Sequence, residues 1–150
     1  MKLKVEPLES RHIEDILPRI HNPQSAMAQA MRENPHYAEM MRRAGPAGAF
    51  LVDGKTVAMA GVIDFDGTGR GVVWCGYAQD VLVPFVALHK FMMRCLAFYP
   101  RRRLEAYVAP GFRAGKRLVK AAGFQFEGVM RSFEADGSDM ELWAIIREGA

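Results

Sequence analysis

The stretch that decides the fold is residues 71–109, GVVWCGYAQDVLVPFVALHKFMMRCLAFYPRRRLEAYVA. Its two ends are rich in Val, Tyr and other strand-forming residues, which predicts strands over 71–77 and 104–109. Between them, an apolar run begins near Pro84, a residue suited to the first turn of a helix, and ends at Pro100. A strand, a long helix and a second strand form a right-handed crossover, so we expect the two strands to be parallel neighbours in one sheet.

The residues before this crossover predict one strand, two helical regions, the second of them interrupted at Asn34-Pro35, and a hairpin. The strand covers 2–7, and Ser10 is expected to cap the first helix, which Pro18 keeps short. Asn-Pro pairs then separate two further helical segments, and the Asp-Gly turn at 53–54 joins two apolar strands. The apolar residues expected on the buried faces of these two helices are Met27, Ala30 and Met31, then Tyr37, Met40, Met41 and Ala44.

The residues after the crossover predict a short basic helix over 112–122, followed by a hairpin of strands 125–133 and 140–147. The full order is therefore β α α β β β α β α β β. This order predicts one α/β domain spanning 1–150, with a mixed central sheet of about seven strands and helices on both faces.

The composition is that of an ordinary globular protein, since half of the 150 residues are hydrophobic and a quarter are charged. The first residues lack the apolar segment of a secretory signal. The longest apolar stretch, 81–99, is interrupted by His89, Lys90 and Arg94, which predicts a buried helix and not a membrane span. We therefore expect a cytoplasmic protein in which Cys75 and Cys95 are reduced core thiols. The four histidines and two cysteines show no metal-ligand spacing, so no metal site is expected.

Positive charge is concentrated in residues 101–120, which hold seven basic residues against Glu105 alone, whereas the whole chain has a net charge of +3. A basic segment of this kind is typical of proteins that bind phosphates or nucleic acid, and also of a simple solvated helix face. Little aromatic sequence is interleaved with the cations, which makes nucleic acid the less favoured partner.

The order of elements, with a basic helix closed by Lys-Ala-Ala-Gly-Phe at 120–124, resembles the GNAT superfamily of acyl-CoA N-acyltransferases. In that family the fourth helix has a small residue, then Leu-Tyr, then Gly-Phe. These positions are occupied here by Gly115, Leu118, Val119, Gly123 and Phe124. The stretch 107–124 also resembles small GNAT-like proteins encoded by tailed phages, some of which are associated with the virion.

The resemblance implies that acetyl-CoA is the co-substrate and an unidentified amine is the acceptor. It places the coenzyme in a cleft between strands 72–77 and 104–109, with its pyrophosphate on loop 78–85 at the start of the following helix. The residues to which it assigns coenzyme binding are Cys75, Tyr77, Gln79, Leu82, Val83, Phe85, Arg113 and Lys116.

Acyl transfer also needs a base for the amine and a proton donor for the departing thiolate. Asp80 lies at the end of the first crossover strand, where it is the candidate base. Tyr77 and Tyr107 are the candidate proton donors. Glu105 is expected to offset a neighbouring arginine at a sheet edge, and His89 to be an ordinary helix residue.

The sequence departs from the family pattern at three functional positions. The loop lacks the spaced glycines that let backbone approach phosphate, and Asp80 adds a negative charge there. Val119 stands where the family commonly has its proton-donating tyrosine, and Phe112 where it has an asparagine. Three hypotheses therefore remain open. They are an N-acetyltransferase with a degenerate loop, a catalytically inactive structural or interaction protein of phage origin, and a basic nucleic-acid-binding module.

Overall fold

The computed structural model describes residues 2–80, 87, 90, 91, 93–95 and 99–148. The strands are β1 (Leu3–Pro7), β2 (Ala47–Val52), β3 (Lys55–Phe65), β4 (Arg70–Tyr77), β5 (Arg103–Val108), β6 (Gln125–Met130) and β7 (Met140–Ile146). The helices with defined ends are α1 (Ser10–Ile16), α2 (Ala26–Glu33), α3 (Tyr37–Ala44) and α4 (Arg113–Ala121), and a 3-10 turn at Leu17–Arg19 follows α1. Between positions 81 and 98, every described residue is helical.

The strands form one seven-stranded sheet in the order β1-β2-β3-β4-β5-β7-β6. β4 and β5 are parallel, with Arg70 opposite Arg103 and Val73 opposite Ala106. The pairs β1–β2, β2–β3, β5–β7 and β6–β7 are antiparallel. The α/β fold with a mixed sheet is therefore confirmed, and so are the parallel strands of the crossover.

The described residues form two compact units. The first unit comprises residues 2–63 and 74–80, and the second unit comprises the remaining described residues. In the first unit, α1, α2 and α3 contribute apolar side chains to a core that also contains residues of β2 and β3. The most deeply buried large apolar side chains of that core are Leu8, Ile16, Ile20 and Met59.

In the second unit, α4 packs on β5. Leu104, Ala106 and Val108 lie on one face of β5 and are buried, and Glu105 on the opposite face is buried as well. Gly115 leaves room for the Phe112 ring and for the approach of the helix to β5, since a Cβ at this position would overlap that ring and lie 3.2 Å from Val108 Cγ1. Leu118 and Ala122 cover the same face and are also buried. The small and apolar residues of α4 that match the family pattern therefore form the surface that packs against β5.

Four local predictions were wrong. The N-cap of α1 is Glu9, whose backbone N–H donates to His12 Nδ1, so Ser10 is already in the helix. Met40 is 47% exposed, and Cys95 is exposed rather than in the core. The penultimate strand ends at Met130, three residues early, because Ser132 adopts a positive φ that no strand residue has.

No helix in the described part of the chain is both long enough and apolar enough to cross a membrane.

Candidate functional site

The end of β4, in the first unit, carries two of the predicted site residues, Cys75 and Tyr77. The ring of Tyr77 stacks on His21, with centroids 5.0 Å apart. Burial, with a smaller effect of the nearby Cys75, raises the pKa of Tyr77 to about 12. Burial also raises the pKa of Cys75 to about 12. Both groups are protonated at neutral pH, so Tyr77 is a possible hydrogen-bond donor to a ligand and Cys75 is not a thiolate nucleophile.

The backbone that follows β4 is hydrogen-bonded to the rest of the first unit. Ala78 donates its N–H to the Val57 carbonyl at 2.9 Å, and Gln79 donates its N–H to the Arg19 carbonyl at 2.7 Å. The side-chain amide of Gln79 donates to the Ile20 carbonyl at 3.3 Å. The first two N–H groups of the predicted pyrophosphate loop are therefore used within the protein. Three residues of this loop that were predicted to bind the coenzyme, Leu82, Val83 and Phe85, lie outside the described part of the chain.

Asp80, the candidate base, lies in a cluster of opposite charges. Its carboxylate accepts hydrogen bonds from Lys55 Nζ at 2.8 Å and from Arg19 Nη1 at 2.9 Å. These two hydrogen bonds hold the pKa of Asp80 below its ordinary value. Arg19 also donates to the Asp15 carboxylate and to the Thr56 carbonyl, which ties the cluster to α1 and β3. A carboxylate with a lowered pKa is a weak base, so this geometry favours an anchoring role for Asp80.

Glu105, in the second unit, is the centre of a second charged cluster. It is 5% exposed and accepts hydrogen bonds from Arg70 Nε at 2.8 Å, Arg103 Nε at 2.7 Å and the Tyr107 hydroxyl at 3.0 Å. Burial tends to raise the pKa of Glu105, but the hydrogen bonds outweigh it, and the pKa lies below its ordinary value. The prediction that Glu105 offsets a neighbouring arginine is confirmed, although β5 is an interior strand and not an edge.

Tyr107, the second candidate proton donor, is part of this Glu105 cluster. Burial and the hydrogen bond to Glu105 raise the pKa of Tyr107. Its ring packs edge-on against Phe133, with centroids 5.3 Å apart. The Tyr107 hydroxyl already donates its proton to the Glu105 carboxylate, so that proton is less available to a departing thiolate.

Arg113 and Lys116, predicted to contact coenzyme phosphates, lie together in a groove of about 440 Å³ beside α4. The groove, called the α4 groove below, is lined by Arg113, Lys116, Arg117, Lys120 and Trp143. Lys116 Nζ lies 2.8 Å from Glu141 Oε2, and Glu141 Oε1 accepts a hydrogen bond from Trp143 Nε1 at 3.2 Å. The groove is thus positively charged on its helical side and aromatic on its strand side.

The structure therefore groups the predicted residues of the first unit at the end of β4, and those of α4 in one groove. Arg19, Lys55 and Arg70 were not predicted, because the carboxylates of Asp80 and Glu105 that they contact lie 61, 25 and 35 residues away in the sequence. Trp143 was not predicted either, because α4, which lines the same groove, is distant in the sequence. The one usable signal was the alternation of β5, which places Arg103, Glu105 and Tyr107 on one face.

Among the described residues, no group of three or more His, Cys, Asp or Glu side chains is arranged to hold a metal ion.

No model of a known protein family matches the chain, and no curated protein matches its sequence. Solved structures do match its fold. The ribosomal-protein-S5-alanine acetyltransferase from Vibrio fischeri is 13% identical, with a TM-score of 0.69 over 99% of this chain and 95% of that one. The GNAT-family acetyltransferase from Streptococcus pneumoniae is 13% identical, with a TM-score of 0.68 over 97% and 99%.

A third match is the microcin C7 self-immunity acetyltransferase MccE, solved in complex with acetyl-CoA and AMP. It is 10% identical, with a TM-score of 0.71 over 97% of this chain and 93% of that one. Likeness at this level of identity concerns the fold. The chain has the fold of the GNAT-family acetyltransferases over nearly its whole length.

Proposed function

We propose that this protein is an acyl-CoA-dependent N-acetyltransferase, which transfers an acetyl group from acetyl-CoA to an amine. The observation that carries the proposal is the full-length likeness of fold to acetyltransferases, one of them solved with acetyl-CoA. The basic α4 groove supports it, because coenzyme A carries phosphates that need cationic partners.

The coenzyme residues in this proposal are those predicted from the sequence. Arg113, in the first turn of α4, and Lys116, one turn later, bind phosphate, and the positive end of the helix dipole reinforces Arg113. The strand and loop residues proposed to contact the rest of the coenzyme are Cys75, Tyr77, Gln79, Leu82, Val83 and Phe85.

In the proposed reaction the amine nitrogen attacks the thioester carbonyl carbon, the C–S bond breaks, and the amine loses one proton. The departing thiolate needs a proton or a hydrogen bond, and we assign this donation to Tyr77, with Tyr107 as the second candidate. A phenol with a pKa of about 12 is a weaker acid than a thiol of about 8.5. Tyr77 would therefore stabilise the thiolate by a hydrogen bond more readily than by full proton transfer.

The position of Asp80 at the end of β4 makes it the candidate base for the amine. Its ion pairs with Arg19 and Lys55 support a different contribution, in which it anchors the residues after the strand. The variants Asp80→Asn and Lys55→Met separate these two roles.

The second candidate is a catalytically inactive protein of this fold, with a structural or interaction role such as one in a phage particle. The observation that favours it is the internal use of the Ala78 and Gln79 N–H groups, at the position where the proposed loop should meet phosphate.

The experiment is a turnover assay on the full chain, with acetyl-CoA and a panel of primary amines that includes amino acids, polyamines and peptide N-termini. Release of the coenzyme thiol is followed against a control without amine. The proposal expects amine-dependent thiol release. Binding of acetyl-CoA without release to any amine in the panel would support the inactive alternative.

A further inference from the structure

We propose that the α4 groove, with Phe126 at its side, is a binding site for single-stranded nucleic acid. This inference does not rest on the proposed acetyltransferase activity. Its first basis is charge. α4 carries Arg113, Lys116, Arg117 and Lys120 and no acidic residue. Their spacing of three, four and seven residues places all four on one face of the helix.

Most of this positive charge is uncompensated. Within the described part of the chain, ion pairs include Lys116 but not Arg113, Arg117 or Lys120. At a rise of 1.5 Å per residue, the four cations extend over about 10 Å of the helix axis. A row of free cations of this length attracts a polyanion and can contact more than one of its phosphates.

The single carboxylate beside the groove does not cancel this field. Glu141 is 8% exposed, and its two oxygens are taken by Lys116 and by the indole N–H of Trp143. Glu141 thus pairs with one of the four cations and also accepts the indole hydrogen bond. The three remaining cations are left to a ligand.

The second basis is the aromatic side of the groove. Trp143 lines it, and Phe126 packs edge-on against Trp143 with ring centroids 5.5 Å apart. Phe126 is 52% exposed, and β6, which carries it, is the last strand of the described sheet. An exposed phenyl ring beside a row of cations provides a stacking surface for a base and contacts for the phosphates that flank it.

The aromatic rings of Phe126 and Trp143 distinguish between two kinds of polyanionic ligand, an acidic peptide and a nucleic acid. An acidic peptide would satisfy the cations but would gain nothing from stacking, because carboxylates have no flat ring. A nucleic acid gains from both contacts, because its phosphates pair with the cations and its bases stack on the rings. A duplex keeps its bases stacked on each other, so only a single strand can place a base on Phe126. The sequence alone did not favour nucleic acid, since no aromatic residue alternates with the cations of α4. The fold supplies the rings from β6 and β7.

The test is fluorescence anisotropy with a labelled 20-mer of deoxythymidine and the full chain. We expect binding that weakens with salt, with a slope of log K against log salt of about −0.7 for each phosphate contacted. The double variant Arg117→Gln/Lys120→Gln should weaken binding about tenfold and reduce that slope by about 1.4. Neither residue belongs to the proposed coenzyme set, and Gln preserves helix propensity.

The matched control is Arg42→Gln/Arg43→Gln, which removes the same charge from exposed positions of α3 and should leave binding unchanged. Phe126→Leu keeps an apolar side chain but removes the stacking face, so it should weaken binding about tenfold. Circular dichroism of every variant confirms that it is folded.

Three results would overturn the inference. The first is no binding of the oligonucleotide at 50 mM salt. The second is wild-type affinity in Phe126→Leu, which would leave charge as the only determinant. The third is equal competition by a polyglutamate peptide, which would make the groove a site for acidic protein segments.

Discussion

Arg19 and Asp80, which are 61 residues apart in the sequence, are joined by a hydrogen bond of 2.9 Å from Nη1 to Oδ1. Lys55 completes the cluster from β3. The end of β4 is therefore attached to two other parts of the first unit at the residue that was predicted to be the base.

We expect Asp80→Asn to lower kcat/KM less than tenfold and to leave the acidic limb of its pH profile unchanged. The reason is that the ion pairs make Asp80 a weak base, so its loss removes an anchor and not a proton acceptor. Lys55→Met, which removes the other partner, should have a similar effect. If Asp80→Asn instead costs about 10²–10⁴ in rate while Lys55→Met costs little, Asp80 is the base.

Glu105→Gln should lower the free energy of unfolding at pH 7 by about 2 kcal/mol. This is below the usual cost of breaking a fully buried pair, because the Arg70 side chain is 41% exposed and water screens it. Urea denaturation of the variant and the wild type measures the difference.

The same pair of proteins tests the lowered pKa of Glu105. A carboxylate whose folded-state pKa lies below its ordinary value of 4.5 stabilises the fold above that pH, and the stabilisation is lost as the pH falls through the folded-state pKa. The difference between wild type and Glu105→Gln should therefore narrow as the pH falls below 4.5. A difference that stays constant down to strongly acidic pH would show that Glu105 does not titrate with a lowered pKa.

Gly61→Ala should destabilise the first unit by about 1–3 kcal/mol. A Cβ at Gly61 would lie 2.5 Å from the Pro46 carbonyl oxygen and 2.8 Å from Trp74 Nε1, and the backbone oxygen cannot move aside. Gly128→Ala, also on a strand, is the control, since no atom lies within 4 Å of its Cβ position. Equal midpoints for the two variants in chemical denaturation would contradict the packing described for Gly61.

Tyr77→Phe should lower kcat by about 10²-fold with little change in KM, because the hydroxyl is proposed to act on the departing thiolate. Tyr107→Phe should lower kcat less, since its hydroxyl already donates to Glu105. Steady-state kinetics with one amine acceptor measures both. The opposite order of effects would transfer the donor role to Tyr107.

The elements of the fold that were predicted correctly have local signals. The turn between β2 and β3 places Asp53 at a φ of 49° and Gly54 at 81°, as the Asp-Gly pair predicts. The crossover follows from two short strand patterns and a long apolar run. Met40 was misplaced because it lies about 100° around α3 from its neighbour Met41, and only one of the two faces the core.

The charged clusters could not be predicted in the same way. The partners of Asp80 are 61 and 25 residues away, and those of Glu105 include Arg70, which only the parallel register of β4 and β5 brings near. Composition and spacing contain no information on such a register. The cations of the α4 groove were predicted because all four lie on one helix. Its aromatic residues were not predicted, because they lie on two other elements, β6 and β7.

The proposal that this fold binds acetyl-CoA is tested most directly by isothermal titration calorimetry of the full chain. We predict saturable binding at one site, weakened about tenfold by Arg113→Gln through loss of a charged phosphate contact and unchanged by Arg42→Gln on α3. Absence of any binding heat with millimolar acetyl-CoA, from protein shown to be folded, would contradict the account.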